Sequence, residues 1–470
     1  MIKKILKKVN SDGAFSLVKQ VSAQVLESQE KYNSYITLTL DRASKRAQEI
    51  DSLLNAGKNP GPLAGIPVAL KDNLLYSGEK MTCGSKILEN YFSPYTGTAV
   101  EKLEEAGAIV IGKTNMDEFA MGSSGETSYF GPTKNPLHPD RVPGGSSSGS
   151  AAAVASGDVP IALGSDTGGS VRQPASFCGV CGLRPTYGRI SRYGLSALAS
   201  SIDQIGVLAS SVEDTALVYS LISGHDPKDS TSLNEKGYEL SDSIEEGVKG
   251  LKIGIPKEYM GETLHSEIRE RILEISNKLV SAGAEVKEIS LPSLEQALAT
   301  YYIIAPAEIS SNLARYDGVR YGFRAPEAQT LEEMYIESRT QGFGPEVKRR
   351  ILLGTSILSS GNYESYYLKA LKVRSMIKKE FEKIFSSIDL IFSPTTPTPP
   401  FKFGEVKDPM EMSMADSYTI PSSLAGLPAM SVPVGSIEKN LPVGAQLIGG
   451  TFSEPTIFRC ARFMEKIYES

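Results

Sequence analysis

Histidine is almost missing from this chain. Only His138, His225 and His265 occur among 470 residues, and there is no tryptophan. A catalytic scheme resting on the commonest general base therefore has little to draw on. Four cysteines cannot make a disulfide framework. Two of them, Cys178 and Cys181, have C-x-x-C spacing. They sit in the Gly-rich stretch FCGVCG with neither a second pair nor neighbouring histidines, so they read as buried structural thiols, not as a zinc or thioredoxin-like site. No apolar run reaches about 18 residues, and no membrane-spanning helix is expected. The basic start Met1-Ile-Lys-Lys-Ile-Leu-Lys-Lys-Val9 lacks both the apolar stretch of a secretory signal and the Arg and Ser of a transit peptide, and reads as an amphipathic helix. Positive charge is in deficit as well, with 49 Lys and Arg against 55 Asp and Glu, a net charge of −6. That excludes general attraction to nucleic acid or anionic membrane; any such partner has to be held locally. A reduced, cytoplasmic protein is the expectation.

What is present is a folded composition, 40% hydrophobic and 22% charged. At about 150 residues per domain the length allows roughly three ordinary domains or one unusually large one. Residues 1–60 carry helix-like apolar spacing, including Leu17, Val21 and Val25, and form an expected N-terminal helical layer. Residues 61–230 form a core rich in Gly, Ser and Ala, with short apolar runs such as Ile66–Leu70 and Ala108–Ile111 that suit buried strands. Val100–Ala106 reads as a helix stopped by Gly107. The same helix, Ala-Gly-Ala, strand arrangement recurs where Leu264, Ile268, Ile272, Ile275 and Leu279 mark one helical face before Gly283. The acidic stretch Asn234–Glu246 reads as a linker or surface loop, opening a C-terminal half, 231–470, that completes the same α/β domain. A helical insertion at about 295–385 precedes strands at Ile388–Phe392, Ala429–Pro433 and Ala445–Ile448, which suggests one sheet revisited late by the chain.

The most unusual stretch is Val142-Pro-Gly-Gly-Ser-Ser-Ser-Gly-Ser150, followed by Gly164-Ser-Asp-Thr-Gly-Gly-Ser-Val-Arg172. So much Gly and Ser between buried elements costs backbone entropy, which argues against a mere linker. Gly144 and Gly149 have the spacing of a phosphate cradle, but Ser150 stands where the phosphate-neutralising lysine should be. Gly145-Ser-Ser-Ser-Gly149 matches a nucleophile elbow by letter, yet Pro139–Pro143 before it is no strand and only two histidines lie downstream. A third reading needs no histidine. Lys71 ends the apolar run Gly65–Leu70, and desolvation there can lower a lysine's pKa until it acts as a base. Asp72 opposes that shift if its carboxylate points the same way. Alone, Lys71 is an ordinary solvent-facing lysine; beside the serines it gains weight.

These residues resemble the amidase signature enzymes, and within them the glutamine-hydrolysing subunits of tRNA-dependent amidotransferases. Gly65-Ile-Pro-Val-Ala-Leu-Lys-Asp-Asn73 is similar to the family's lysine segment, and the two Gly/Ser stretches, running on to Arg184-Pro-Thr-Tyr-Gly-Arg-Ile-Ser191, to its signature. Ser146 and Ser170 have the family's separation of 24 positions. Further similar segments are Thr114–Gly122, Ala199–Gly206, Glu346–Ile351 and Leu424–Pro428. Departures are small: Ser148 stands where Gly is common, Cys181 where an aliphatic residue is, and Arg184 where Lys is.

The resemblance implies a single large α/β domain, a mixed central β-sheet flanked by helices on both faces. It implies Ser170 as nucleophile, Ser146 as bridging serine after a cis peptide, and Lys71 as base. The oxyanion hole would be the backbone amides of Thr167, Gly168, Gly169 and Ser170. Asp416 and Arg350, with Arg349 as the register alternative, would grip the α-amino and α-carboxylate groups of glutamine, beside Tyr301 or Tyr302. A pair of opposite charges is what a zwitterion demands; the competing reading of Arg350 is a solvated helix face. The implied partners are subunits B and C of the amidotransferase, with tRNA met only through the complex and no membrane contact. This chain needs no cofactor; ATP and Mg are expected on a partner subunit. The alternatives are a free-standing amidase for small amides and a catalytically silent scaffold, against which intact Lys71, Ser146 and Ser170 argue.

Overall fold

Short runs of mostly apolar residues between turns make the strands. The computed structural model describes residues 1–235, 240 and 243–469. Its strands are β1 (Tyr35–Leu38), β2 (Pro67–Lys71), β3 (Ile109–Thr114), β4 (Ile161–Asp166), β5 (Cys181–Arg184), β6 (Gln204–Ala209), β7 (Lys252–Pro256), β8 (Glu285–Ile289), β9 (Leu390–Pro394), β10 (Ala429–Ile437) and β11 (Leu441–Gly449). All eleven join one sheet in the order β1-β3-β2-β4-β6-β5-β10-β11-β9-β7-β8. The sheet is mixed: β2 runs parallel to β3 and β4, and β7 to β8 and β9, while β4–β6, β5–β6, β10–β5, β10–β11 and β11–β9 are antiparallel.

Successive strand side chains point to opposite faces, and here both faces are covered. Val68, Leu70, Val110, Ile161, Leu163 and Val207 belong to one hydrophobic core; their neighbours Ala69, Ile109, Ile111, Ala162 and Leu208 belong to another. The second core is closed by helices Ala14–Tyr32, Leu40–Asn55 and Ser148–Ala155, through Val18, Val25, Ala47, Ile50 and Ala151. The first is closed by Thr98–Glu105, Val212–Ile222, Ser266–Ser281, Leu294–Asn312, Lys369–Phe385 and Glu454–Glu469. The expected single α/β domain with helices on both faces is what forms.

The two Ala-Gly-Ala units correspond to helices Thr98–Glu105 and Ser266–Ser281, leading into β3 and β8 through Gly107 at φ +90° and Gly283 at φ +93°. β8, Glu285-Val-Lys-Glu-Ile289, is a charged edge strand, which protects the sheet from pairing with other chains. The helical expectation for the N-terminal region misses β1, which pairs antiparallel with β3 at the opposite sheet edge. Four residues, mostly half-buried, are too short to show a period of their own, and their place is set by pairing with a strand more than 70 positions on. Residues 236–239 and 241–242 of the acidic stretch lie outside the described residues, and with them the reading of a linker or loop there. No helix of the described residues is long and apolar enough to cross a membrane.

Candidate active site

β2 and β4 are parallel neighbours, with Leu70 opposite Leu163, so Lys71 and the pair Ser165–Asp166 leave the sheet at the same end. Ligand crevices of such sheets lie beyond these carboxyl ends. Lys71 is fully buried. Its Nζ donates to Ser146 Oγ at 2.8 Å, to Ser165 Oγ at 3.0 Å and to the Ser165 carbonyl at 3.3 Å. Burial pushes its pKa down to about 7, against the opposing pull of the Asp117, Asp166 and Asp203 carboxylates. Asp72, the neighbour that could have cancelled this shift, is turned to Lys113. Its Oδ1 lies 3.0 Å from that Nζ, and its Oδ2 accepts from Thr82 N–H at 2.8 Å and from the Thr82 hydroxyl at 2.5 Å. The sequence left Lys71 open to the reading of a solvent-facing lysine; the geometry excludes it.

Ser146 follows a cis peptide bond from Gly145, whose N–H donates to Gln173 Oε1 at 2.8 Å. Ser147 N–H then donates to the Ser170 carbonyl at 3.1 Å, which holds the Ser146 and Ser170 segments side by side. The Ser170 hydroxyl makes no hydrogen bond among the described residues; catalytic hydrogen bonds commonly tighten only when substrate is present. Gly168 and Gly169 precede it in a turn where Gly169 has φ +146° and a β-carbon would lie 2.1 Å from Thr419 Oγ1. The N–H groups of Gly168, Gly169 and Ser170 have no acceptor among the described residues, as an oxyanion hole requires. Thr167 is held by its hydroxyl, which donates to Asp203 Oδ1 at 2.7 Å.

Tyr301 and Asp416 approach the same turn. A β-carbon at Gly168 would lie 3.0 Å from Tyr301 Cζ, and one at Gly169 would lie 3.3 Å from Asp416 Oδ1. Asp416 is 8% exposed; Ser123 Oγ donates to its Oδ2, and Oδ1 is buried without a partner. Burial raises its pKa to about 7, and the Asp166 charge adds to this while the Ser123 bond, Arg350 and Arg172 oppose it. Helix Pro345–Ile357 presents Arg350 inward, 7% exposed, over the Tyr302 ring at 5.5 Å, with Nε on Glu346 Oε1 at 2.6 Å. Arg349 is the outward member, 41% exposed and paired with the same Glu346. Tyr301 and Tyr302 pack edge to face, centroids 5.3 Å apart.

The histidines stay out of this constellation: His138 Nε2 bonds to the Asn440 carbonyl, His265 precedes helix Ser266–Ser281, and His225 is exposed. Cys178 and Cys181 are both buried, neither is in a disulfide, and the Cys178 thiol donates to the Pro143 carbonyl at 3.3 Å. Among the described residues no cluster of His, Cys, Asp or Glu is arranged to hold a metal ion.

The family model for Amidase matches residues 16–458. The chain belongs to the amidase family. The amidase is 52% identical over 467 residues to the glutamyl-tRNA(Gln) amidotransferase A subunit of Carboxydothermus hydrogenoformans, covering 99% of this chain and 96% of that one. To the protein of the same name in Halothermothrix orenii it is 54% identical over 440 residues, 94% and 91% of the two chains. The crystal structure of the corresponding protein from Thermotoga maritima superposes with a TM-score of 0.83 at 44% identity, covering 99% of this chain and 94% of that one.

Several residues of this amidase's site have roles that the sequence does not signal. Ser165 and Asp166 stand inside the Gly/Ser motif, but only the fold shows what they hold. Asp166 is clamped by two buried arginines, Arg172 (Nε to Oδ2 3.0 Å, Nη2 to Oδ1 2.9 Å) and Arg184 (Nη1 to Oδ1 3.3 Å), which hold its carboxyl well below the usual range against the cost of burial. Arg172 also reaches the Thr419 carbonyl, Ser422 Oγ, Ser423 Oγ and Gln446 Oε1, tying the turn before Ser170 to the segment that carries Asp416. Arg172→Ala leaves Asp166 with half its compensation in a dry interior, and is expected to lower stability by about 3–5 kcal/mol. Urea unfolding checks this; a shift equivalent to under about 1 kcal/mol, the worth of an exposed pair, rules out the clamp as scaffold.

Proposed function

We propose that this amidase hydrolyses the side-chain amide of glutamine as the ammonia-producing subunit of a glutamyl-tRNA(Gln) amidotransferase. The observation that carries the reading is the unpaired Oδ1 of Asp416 beside the Gly168–Gly169 turn, with Arg350 facing inward nearby: a place for one α-ammonium and one α-carboxylate, next to a serine hydroxyl with no hydrogen-bond partner. A neutral amide has no use for either charge. Full-length similarity to proteins named for that activity supports the same substrate.

In this mechanism Lys71 is neutral at the start. Ser170 Oγ attacks the amide carbon while its proton passes to Ser146 and the Ser146 proton to Lys71 Nζ. The negative charge on the former carbonyl oxygen is met by the free amides of the turn, with Thr167 N–H as the expected fourth donor. Collapse breaks the C–N bond as the proton returns through Ser146 to the departing nitrogen, giving ammonia and a glutamyl ester on Ser170. Water, activated by the same relay, then releases glutamate. The ammonia would pass to partner subunits B and C, which would hold the ATP and Mg that supply activation of Glu-tRNA(Gln), and tRNA would be met only through that complex.

The test is substrate choice. Asp416→Asn keeps shape and removes the charge. A charge-assisted hydrogen bond worth about 1.5–3 kcal/mol is lost, so the ratio of kcat/KM for glutamine to that for propionamide is expected to fall by about ten- to a hundredfold. If both substrates suffer alike, Asp416 is structural and a free-standing amidase becomes the better reading.

A further inference from the structure

Ser123 hydrogen-bonds to neither catalytic serine among the described residues, yet it joins the two halves of the site. It is 4% exposed, and its hydroxyl donates to Asp416 Oδ2 across 293 positions of sequence. Its carbonyl accepts from Gln173 Nε2 at 2.8 Å, and the Oε1 of that same amide accepts from Gly145 N–H at 2.8 Å. Linked through the frames of Ser123 and Gln173, these hydrogen bonds connect the Asp416 carboxylate to the N–H of Gly145, the residue before Ser146. Of the two Asp416 oxygens, Ser123 occupies one and the other is left bare toward the turn.

We propose that Ser123 is a specificity-determining positioning residue: its hydroxyl holds Asp416 Oδ2 and favours the carboxylate form, so that Oδ1 alone is offered to the α-ammonium group of the substrate. The inference rests on the glutamine reading above and adds the group that makes it work at neutral pH. The surroundings of Asp416 are balanced finely. Asp166, at the end of β4, disfavours its charge; Arg172 from helix Arg172–Cys178 and Arg350 from Pro345–Ile357 favour it; Tyr301 and Tyr302 of Leu294–Asn312 stand close with neutral hydroxyls. Burial has already brought its pKa to about 7 with the Ser123 bond in place. A carboxylate that loses its hydroxyl donor in a dry site becomes easier to protonate. A protonated Asp416 presents no charge to an ammonium ion.

The experiment measures kcat/KM against pH for glutamine and for propionamide, using the full chain together with its partner subunits. Lys71 puts an acid limb near pH 7 on both substrates; only glutamine carries a second limb from Asp416, so propionamide is the internal reference. For Ser123→Ala the glutamine limb is expected to move to higher pH by at least about half a unit relative to the propionamide limb, with KM for glutamine at pH 7 up by about twofold or more. Ser123→Thr retains a hydroxyl and should return the limb toward its original place. Ser123→Cys, a weaker donor of similar size, should give an intermediate shift and substitutes for the alanine variant if that one does not fold. An unmoved glutamine limb in a folded Ser123→Ala protein, or a parallel loss on propionamide, overturns the proposal. Asp416→Asn separates the two levels: if it is selective for glutamine while Ser123→Ala is silent, only the role of Ser123 fails; if it is not selective, the glutamine reading fails and takes this one with it.

Discussion

Ser170→Ala is expected to abolish glutamine-dependent formation of Gln-tRNA(Gln) while leaving the ammonia-dependent reaction of the assembled complex nearly intact. The substitution removes one oxygen from a residue 7% exposed, and the link from Ser147 N–H to the residue 170 carbonyl is untouched, so neither the fold nor docking to partners is at stake. What is lost is the covalent route. Loss of a nucleophile that acts as one unit with its base costs about a million-fold, which takes glutamine hydrolysis below any useful rate. Ammonia added at high concentration bypasses that step, because it needs only the activated glutamyl group on the partner. Both reactions are measured with the same preparation, after size-exclusion chromatography has shown the complex assembled. Equal loss of both would mean that this chain does more than supply ammonia, and the division of labour proposed above would not stand.

Lys71→Ala should lower glutamine hydrolysis by about a hundred- to ten-thousand-fold, the usual worth of a positioned general base. Lys71→Met, which fills the same space without a titrating group, should do the same and so separates the missing base from a packing defect. The pH profile supplies the second check. Lys71 must be neutral to accept a proton, and burial places its pKa at about 7, so the rate should rise with pH through about 7 and level above it. In both variants the limb that Lys71 sets should vanish. Replacing His138, His225 and His265 together should leave the profile where it is, since none of them hydrogen-bonds to either serine among the described residues. A large loss from those replacements in a folded protein would bring back a histidine-based elbow.

Sequence reasoning reached furthest where chemistry is local. A lysine closing an apolar run, glycines directly before a serine, and two helix, Ala-Gly-Ala, strand units are short-range patterns, and each has its counterpart in the structure at the end of β2, at Gly168–Gly169 and before β3 and β8. Neighbouring residues on a helix were another matter. Arg349 and Arg350 lie about 100° apart around the axis, and spacing alone does not say which of them faces in. Packing of helix Pro345–Ile357 against Leu294–Asn312 turns Arg350 inward over Tyr302 and Arg349 to solvent. Tyr301 and Tyr302 present the same ambiguity, and only contact with the Gly168 turn separates them.

The chain by itself therefore determined the apolar runs of strands buried on both faces, and the motifs whose family resemblance implies a base, a bridging serine and a nucleophile. Tertiary structure decided everything that depends on a partner far away in sequence. It sent the Asp72 carboxylate to Lys113, so that the charge beside Lys71 does not hold its proton on. It placed β1 on β3, clamped Asp166 between Arg172 and Arg184, and brought Ser123 to Asp416. The physical reason is common to all four. Periodicity and capping are properties of a few consecutive residues, whereas strand pairing and the pKa of a buried group are both set by whichever distant residues the fold brings within hydrogen-bond reach, and no spacing along the chain encodes that.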